Sequence, residues 1–588
     1  MNLLTVDFET YYSRQYSLKK QTTEEYIRHK RFEAIGVSVK VGEEEAQWFS
    51  GTRKKTKEFL DQFDWANSAV LAHNAAFDVA ILNWQYAIRP ARILDTMSMS
   101  RAVHGTEISA ALASLARYYG LGEKGTAVHD AIGKHRVDFV PEELTAYGEY
   151  CRLDVDLTHA LFYKLRPHVP TPELKLIDLT IRMFSEPVLI IDTPLLERHL
   201  ADVREQKEAT LKTAGASREE LMSNPKFAGV LQKLNVVPPT KISATTAKET
   251  YAFAKSDEGF KALLEHEDIR VQTLVGARLK VKSTLEETRT ARFISIANRG
   301  RFPVPLKYYA AHTGRWGGDD KLNLQNIPNE SPLKRSILAP EGYVVIDSDS
   351  SQIEARTLAW LAEQDDLTAA FAAGDDVYKI MACKLYDKEE ADITKRERFV
   401  GKTTILGCGY GMGPPRFQGQ LAAFDVAISK TAAASVIAKY REAYGRIPTL
   451  WRQADRSLNL LFKGNGSSLG RGGLIAVTPA AGIKLPNGLT IRYPNLREED
   501  KTELALNPSP HFGDDRKELV YDTKRGATAV RTRIYGPKLI ENVCQALARI
   551  IIGEQMLMIA RKYRVVLTVH DAVTCVVPEE EQEEAVTY

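Results

Sequence analysis

Residues 343–361 read Tyr-Val-Val-Ile-Asp-Ser-Asp-Ser-Ser-Gln-Ile-Glu-Ala-Arg-Thr-Leu-Ala-Trp-Leu. The run opens apolar, Val344 to Ile346, and closes on a helix-like spacing of Ile353, Leu358 and Leu361. Between them lie Asp347, Asp349 and the polar run Ser350, Ser351, Gln352. A buried strand that delivers a carboxylate at its end and then turns into a helix is a common way to fix a metal ligand. Alternation puts Asp347 and Asp349 on the same face. The strand alone therefore leaves open which of them binds a metal.

Two further stretches belong with this one. In 395–413, Arg398, Lys402, Leu406 and Tyr410 recur every four residues. On a helix they form one slowly drifting face with two cations, an apolar residue and an aromatic. In 564–577, two β-branched runs flank His570-Asp571, which predicts a tight hairpin with an acid at its tip. Two carboxylates, a cationic helix face and an aromatic suit in-line transfer of a nucleotide between polyphosphate and hydroxyl, with two metals.

These stretches resemble motifs A, B and C of the family A DNA polymerases, the DNA polymerase I family. Asp349, Ser351, Gln352, Ile353, Glu354 and Arg356 match the first motif, and the resemblance selects Asp349 over Asp347. Arg398, Lys402, Gly407, Tyr410 and Gly411 match the second, with Leu406 where the family usually has Phe or Tyr. Val569, His570 and Asp571 match the third, with Ala572 in place of an acid. The resemblance implies an α+β right-hand domain of palm, fingers and thumb. It also implies Asp349 and Asp571 as ligands of two Mg²⁺ ions (Mn²⁺ substituting), and Arg398 and Lys402 on the triphosphate. Lys402 is the expected proton donor to pyrophosphate, with Leu406, Tyr410, Gln352 and Glu354 around the nucleotide. Glu354 would exclude ribose, and His570 would contact the primer terminus.

The N-terminal segment carries a second carboxylate set. Asn2 to Thr10 reads as a strand with Asp7 and Glu9 on one face; a polar edge strand is the plain alternative. The segment 71–78 adds Asn74 and Asp78, and 150–154 adds Tyr150 and Asp154 about one helical turn apart. Four carboxylates and a tyrosine fit a site where two divalent cations activate water against a phosphodiester. The set is similar to the DEDD-type 3′–5′ proofreading exonucleases of the tyrosine subgroup, an RNase H-like α/β fold. That likeness implies Asp7, Glu9, Asp78 and Asp154 as metal ligands, again two Mg²⁺ per site, and Tyr150 as the residue orienting the attacking water. Asp95-Thr96 and Leu112 to Leu115 look like linking segments of that family with structural roles.

The chain has 588 residues, too many for one core, and its net charge of +3 does not by itself indicate nucleic acid. Three prolines in 166–172 mark a boundary. The expected division is an exonuclease domain over 1–165 and a polymerase domain over 173–588, with the thumb at about 173–312 and palm and fingers at 313–588. The basic run of Arg270, Arg278, Lys280, Lys282, Arg289, Arg292, Arg299 and Arg301 reads either as a solvated face or as a track on a duplex backbone. Each phosphate neutralised would add about −0.9 to the log–log salt slope. By resemblance Arg315, Gln325, Asn326 and Gln545 would also contact primer–template DNA.

The N-terminus reaches Asp7 and Glu9 too soon for a signal peptide, and Arg549 and Glu554 interrupt the most apolar late segment, so no membrane association is expected. Five scattered cysteines fit a reducing cytoplasm, that of the host if the chain is phage-encoded. With no 5′-nuclease segment expected ahead of the exonuclease, the layout resembles that of phage-type or replicative members of the family. The chain ends at Tyr588, soon after the third motif, and the last palm strand and helix are expected to be missing. The expected substrates are dNTPs on a primer–template in DNA replication, and no docking insertion for a replisome partner interrupts the thumb. A single-subunit RNA polymerase is the rival enzyme, opposed by Glu354 and the attached nuclease. A DNA-binding scaffold is the rival of another class, opposed by six intact acids.

Overall fold

The N-terminal strand β1 (Leu3–Thr10) is the centre of a mixed sheet. It pairs antiparallel with β2 (Ala34–Val41), which pairs with β3 (Gln47–Phe49), and parallel with β4 (Ala69–Ala72), which pairs with β5 (Arg92–Asp95). The order β3-β2-β1-β4-β5 with three parallel strands is that of an RNase H-like layer. Helix α1 (Ala75–Tyr86) follows β4 directly, and helix α2 (Pro141–Leu165) crosses β1 and β2. A computed structural model describes residues 1–243, 248–255, 257–424, 426–479, 482–500, 517–525 and 528–588.

The chain forms two compact units. The first takes Met1–Pro187, Pro303–Gln325 and Gly342–Tyr588; the second takes Val188–Phe302 and Asn326–Glu341. Helix α3 (Thr171–Ser185), assigned to the thumb from sequence, falls in the first unit. Its Asp178 accepts the Ile93 N–H of β5, and its Ser185 carbonyl accepts from Asn83 and Trp84 of α1. Three polar contacts tie it to the exonuclease sheet and explain the shift of boundary.

The polymerase segment of the first unit holds a three-stranded sheet. Strand β6 (Tyr343–Asp349) pairs with β8 (Ala572–Pro578), which forms a hairpin with β7 (Arg564–Val569). The sequence suggests a buried β6. Instead it is a half-buried edge whose Asp347 and Asp349 lie exposed, because only β8 pairs with it. Helices α4 (Ile353–Leu361), α5 (Lys395–Cys408) and α6 (Gly536–Ile559) contribute to one apolar core that includes Leu358, Leu361, Ile405, Leu539 and Ile540.

The second unit is mainly helical around Phe227, Phe253, Phe260, Leu274 and Val275. Asp192, unassignable from sequence, caps the helix Thr193–Ala214 by accepting the Leu195 N–H at 2.9 Å. The basic run is corrected here. Arg278 is fully buried between Phe227 and Phe253, donates to the Leu221 carbonyl at 2.5 Å, and bonds Asn224. It holds the unit's core and cannot track a duplex. Arg270 pairs with Asp268, whereas Lys282 is exposed and reaches Asn224 at 3.2 Å.

Candidate active sites

In the exonuclease site, the period of β1 carries Asp7 and Glu9 to the face that α2 covers. Along α2, Tyr147, Tyr150, Cys151 and Asp154 follow at helical spacing and meet those acids. The Tyr147 hydroxyl donates to Glu9 at 2.6 Å, and the Cys151 thiol lies 3.4 Å from the Asp7 carboxylate. Asp78 reaches in from α1, where its carboxylate accepts the Phe8 N–H at 3.1 Å. The entry to α1 is set by Asn74 in the left-handed region (φ 73°) and by Asp95, which accepts the N–H groups of Asn74, Ala75, Met97 and Ser98. Asp95 thus has the structural role expected of it.

All four acids hold their protons more tightly than usual. Burial, then the Asp154 charge, pushes Asp7 up to about 6. Burial, then Asp7, lifts both Glu9 and Asp78 well above the carboxylate range. Burial raises Asp154 against the pull of Lys124. Tyr150 is also raised, by burial and then by Asp154, with which it shares a hydrogen bond. Asp7 and Glu9 offer oxygens within 4.8 Å of one another and of the Cys151 thiol, and the buried Asp154 Oδ1 has no hydrogen-bond partner; the carboxylate oxygens suit hard divalent cations. One cation is already present: Lys124 Nζ lies 2.5 Å from Asp154 Oδ2.

The palm site is built differently. Across β6 and β8, Asp347 faces Thr574, whose hydroxyl donates to it at 2.8 Å. Asp349 faces Ala572 at the strand end. The Ser350 N–H donates to the Asp571 carbonyl at 2.9 Å, so the ends carrying Asp349 and Asp571 are joined. His570 takes the left-handed region (φ 54°) in the turn between β7 and β8. Asp347 is engaged within the ladder by Thr574, whereas Asp349 stands at the end of its strand, which is tied through Ser350 to the Asp571 backbone.

Gln352, also left-handed (φ 58°), opens α4 and sets Glu354 in its first turn. Glu354 pairs with Arg315, and the Tyr410 hydroxyl donates to its backbone carbonyl at 3.4 Å. Arg315 is pulled down by burial and drawn back chiefly by Asp571, a sign that it stands near that acid. The turn bearing Arg315 is held from α6, where Arg549 donates to the Gly314 carbonyl at 3.0 Å and forms a buried pair with Glu173 at 2.6 Å. On α5, Arg398 donates to Asp376 at 2.6 Å, while Lys402 and Leu406 are exposed, Leu406 at 39%. Tyr410 lies just past the end of α5, in a turn, rather than on the helix face that a four-residue spacing suggests.

Gln545 is half-buried on α6, bonded to Glu541. Gln325 sits in a 3₁₀ turn and donates its N–H to Asn323; the exposed Asn326 offers its carbonyl to Arg289. No described contact joins these residues to the carboxylates. Sequence reading missed Tyr147, Cys151, Lys124 and Arg549. The helical repeat through Tyr150 and Asp154 could have found Tyr147 and Cys151. Lys124 lies in a glycine-containing loop, and Arg549 shows in the sequence only as an interruption of an apolar run.

The chain thus combines an RNase H-like layer with a second, three-stranded sheet that carries Asp349 at a strand end and Asp571 in a hairpin turn. The comparisons narrow this. The model of DNA polymerase family A matches residues 195–459, and that of the 3′–5′ exonuclease matches 1–170. Residues 195–459 are thus a DNA polymerase family A segment, and residues 1–170 a 3′–5′ exonuclease segment. It is 30% identical to DNA polymerase I of Synechocystis sp. over 397 residues, 64% of this chain and 38% of that one. It is 23% identical to the DNA polymerase of Bacillus phage SP02 over 512 residues, 79% of this chain and 74% of that one. The chain thus spans little more than a third of the Synechocystis protein's length. It shares its fold with the POL domain of Pol1 from M. smegmatis in complex with DNA primer-template and dNTP. The TM-score is 0.64 at 19% identity, over 100% of this chain and 91% of that one. Among the described residues no helix is long and apolar enough to cross a membrane.

Proposed function

We propose that this chain adds deoxynucleotides to a primer 3′ end under the direction of a template, and removes misincorporated nucleotides at its second site. The observation that carries this reading is the backbone bond that joins the segment ends bearing Asp349 and Asp571, with Arg315 close to Asp571 and linked to Glu354, whose carbonyl Tyr410 bonds. Asp349 and Asp571 would hold two Mg²⁺ ions in the palm; Asp7, Glu9, Asp78 and Asp154 would hold two in the exonuclease. When bound, such ions polarise phosphoryl oxygens and lower the pKa of the attacking hydroxyl or water.

The chain's own groups do the rest. Arg398 turns from Asp376 to the triphosphate, and Lys402 neutralises the leaving pyrophosphate and donates a proton to it. Tyr410 closes on the nascent base pair. Glu354 fills the space beside the sugar C2′, excluding a 2′ hydroxyl. Gln352 shapes the same wall through the turn it makes. His570 contacts the primer terminus; Arg315, Gln325, Asn326, Gln545 and Lys282 contact primer–template. In the exonuclease, Tyr150 orients the water. The exposure of Lys402 and Leu406 supports their facing the nucleotide.

Primer extension with dNTPs, then with rNTPs, then primer degradation without nucleotides tests the reading. Extension with dNTPs and shortening without them are expected. Extension with rNTPs at comparable rates would favour the RNA-polymerase alternative.

A further inference from the structure

The exonuclease site contains one cation of its own. Lys124 lies in the loop between the helix Leu112–Tyr118 and α2. Its ammonium sits 2.5 Å from Asp154 Oδ2 and 5.2 Å from the centre of the Tyr150 ring. The side chain is 29% exposed, so it reaches both the site and solvent. The loop is shaped to bring it there. Gly122 takes φ +123°, and Gly125 packs so close that a Cβ would stand 2.9 Å from Tyr150 Cδ2. A second observation marks the spot as a ligand position: the other oxygen of the same carboxylate, Asp154 Oδ1, is buried without a partner.

The charge count asks for such a group. Four carboxylates carry four negative charges, which two divalent ions would balance. The scissile phosphodiester brings one more negative charge, and a second develops as water adds to phosphorus. Resting on the exonuclease reading above, we propose that Lys124 is a substrate-contacting residue of that site, donating to a non-bridging oxygen of the scissile phosphate. In that hydrolysis the water oxygen bonds to phosphorus and the bond from phosphorus to the penultimate O3′ breaks. One water proton leaves to solvent and O3′ takes one, so the terminal nucleotide departs as a 5′-monophosphate. Lys124 transfers nothing. With Asp154 holding a divalent ion, the ammonium would be free of that carboxylate, and the loop would keep its charge over Tyr150, where it offsets charge that exists on the substrate and grows in the transition state.

The test uses the full chain with Lys124→Met and Lys124→Arg. The first readout is seating of a short oligo(dT) with 2-aminopurine at its 3′ end, in Ca²⁺, followed by fluorescence at several salt concentrations. The second is single-turnover hydrolysis of the same strand in Mg²⁺, with primer extension as the control for folding. Lys124→Met is expected to flatten the log–log salt dependence of seating by about 0.7, the contribution of one phosphate contact on a single strand. It should slow hydrolysis by about a hundredfold or more, the range of a lost transition-state charge contact. Lys124→Arg should recover most of both. Slower hydrolysis with an unchanged salt slope, or full recovery of rate at high Mg²⁺, would overturn the proposal, since Lys124 would then act only through Asp154. A Lys124→Met protein as active as its parent would overturn it too. A parent chain that neither seats nor shortens the strand would sink the exonuclease reading itself, a failure distinguishable from that of Lys124 alone.

Discussion

The exonuclease and palm centres use the same chemistry of strand-borne carboxylates but meet solvent in opposite ways. In the exonuclease, Glu9, Asp78 and Asp154 are buried; burial raises the proton affinity of all three, and the Asp7 charge adds to it at Glu9 and Asp78. A lysine already partners one of them. In the palm, Asp349 is exposed on an edge strand, and Glu354 and Arg398 are occupied by Arg315 and Asp376. The first centre is assembled by the domain's own packing. The second is open, and in the proposed reaction DNA and nucleotide complete it by displacing internal ion pairs. A buried cluster therefore couples its function to stability, whereas an exposed one couples it to substrate.

The strongest way to break this comparison is to remove acids from each side. Asp349→Ala or Asp571→Ala should cut extension by about a thousandfold or more while primer shortening continues. Asp7→Ala with Glu9→Ala should do the reverse, since a lost ligand forfeits several kcal/mol of transition-state stabilisation. Extension within tenfold of the parent after either palm change would show that these acids do not hold the metals. A smaller effect sharpens the palm side. Glu354→Ala both opens the space beside C2′ and releases Arg315, so ribonucleotide incorporation should rise at least about tenfold. Unchanged dNTP over rNTP selectivity in steady-state assays would place the gate elsewhere.

Leu406 is exposed rather than packed into the helices around it. Leucine has no hydroxyl to replace a missing 3′ hydroxyl, so the enzyme should discriminate against dideoxynucleotides. Leu406→Tyr should relax that several-fold, the size of one added hydrogen bond of about 0.5–1.5 kcal/mol. Equal ratios of kcat/KM for dNTP and ddNTP in the two proteins would put this side chain away from the sugar.

The smallest effect concerns stability of the buried centre. Asp7 binds its proton more tightly folded, at about 6, than unfolded, at its ordinary 3.8. The stabilisation from that proton is present in full below the unfolded value and is lost as pH rises through about 6. Glu9, Asp78 and Asp154 shift in the same direction. In chelator, the Tm of the exonuclease transition should therefore fall between pH 5 and 7. Asp7→Asn should flatten the fall by a few degrees at most, and saturating Mg²⁺ should remove it. A chelated protein with the same Tm at both pH values would show that the cluster carries no such strain.

Much of this was legible in order and spacing alone. Two-residue alternation placed Asp7 with Glu9, helical spacing placed Tyr150 with Asp154, and a β-branched pair of runs around His570-Asp571 gave the hairpin. Each is a local rule in which backbone geometry fixes which side chains share a face, so the sequence by itself determined the strands, the main helices and the acids they bear. What it could not determine were pairings between segments far apart in the chain. Only the β6–β8 register set Asp347 against Thr574 and Asp349 at the mouth. Only the packing of the second unit took Arg278 out of a basic run and into a core between two phenylalanines. Only a loop folded onto α2 brought Lys124 to Asp154, thirty residues away. Burial and charge pairing depend on which surfaces meet, and that is a property of the tertiary fold, not of any stretch read alone.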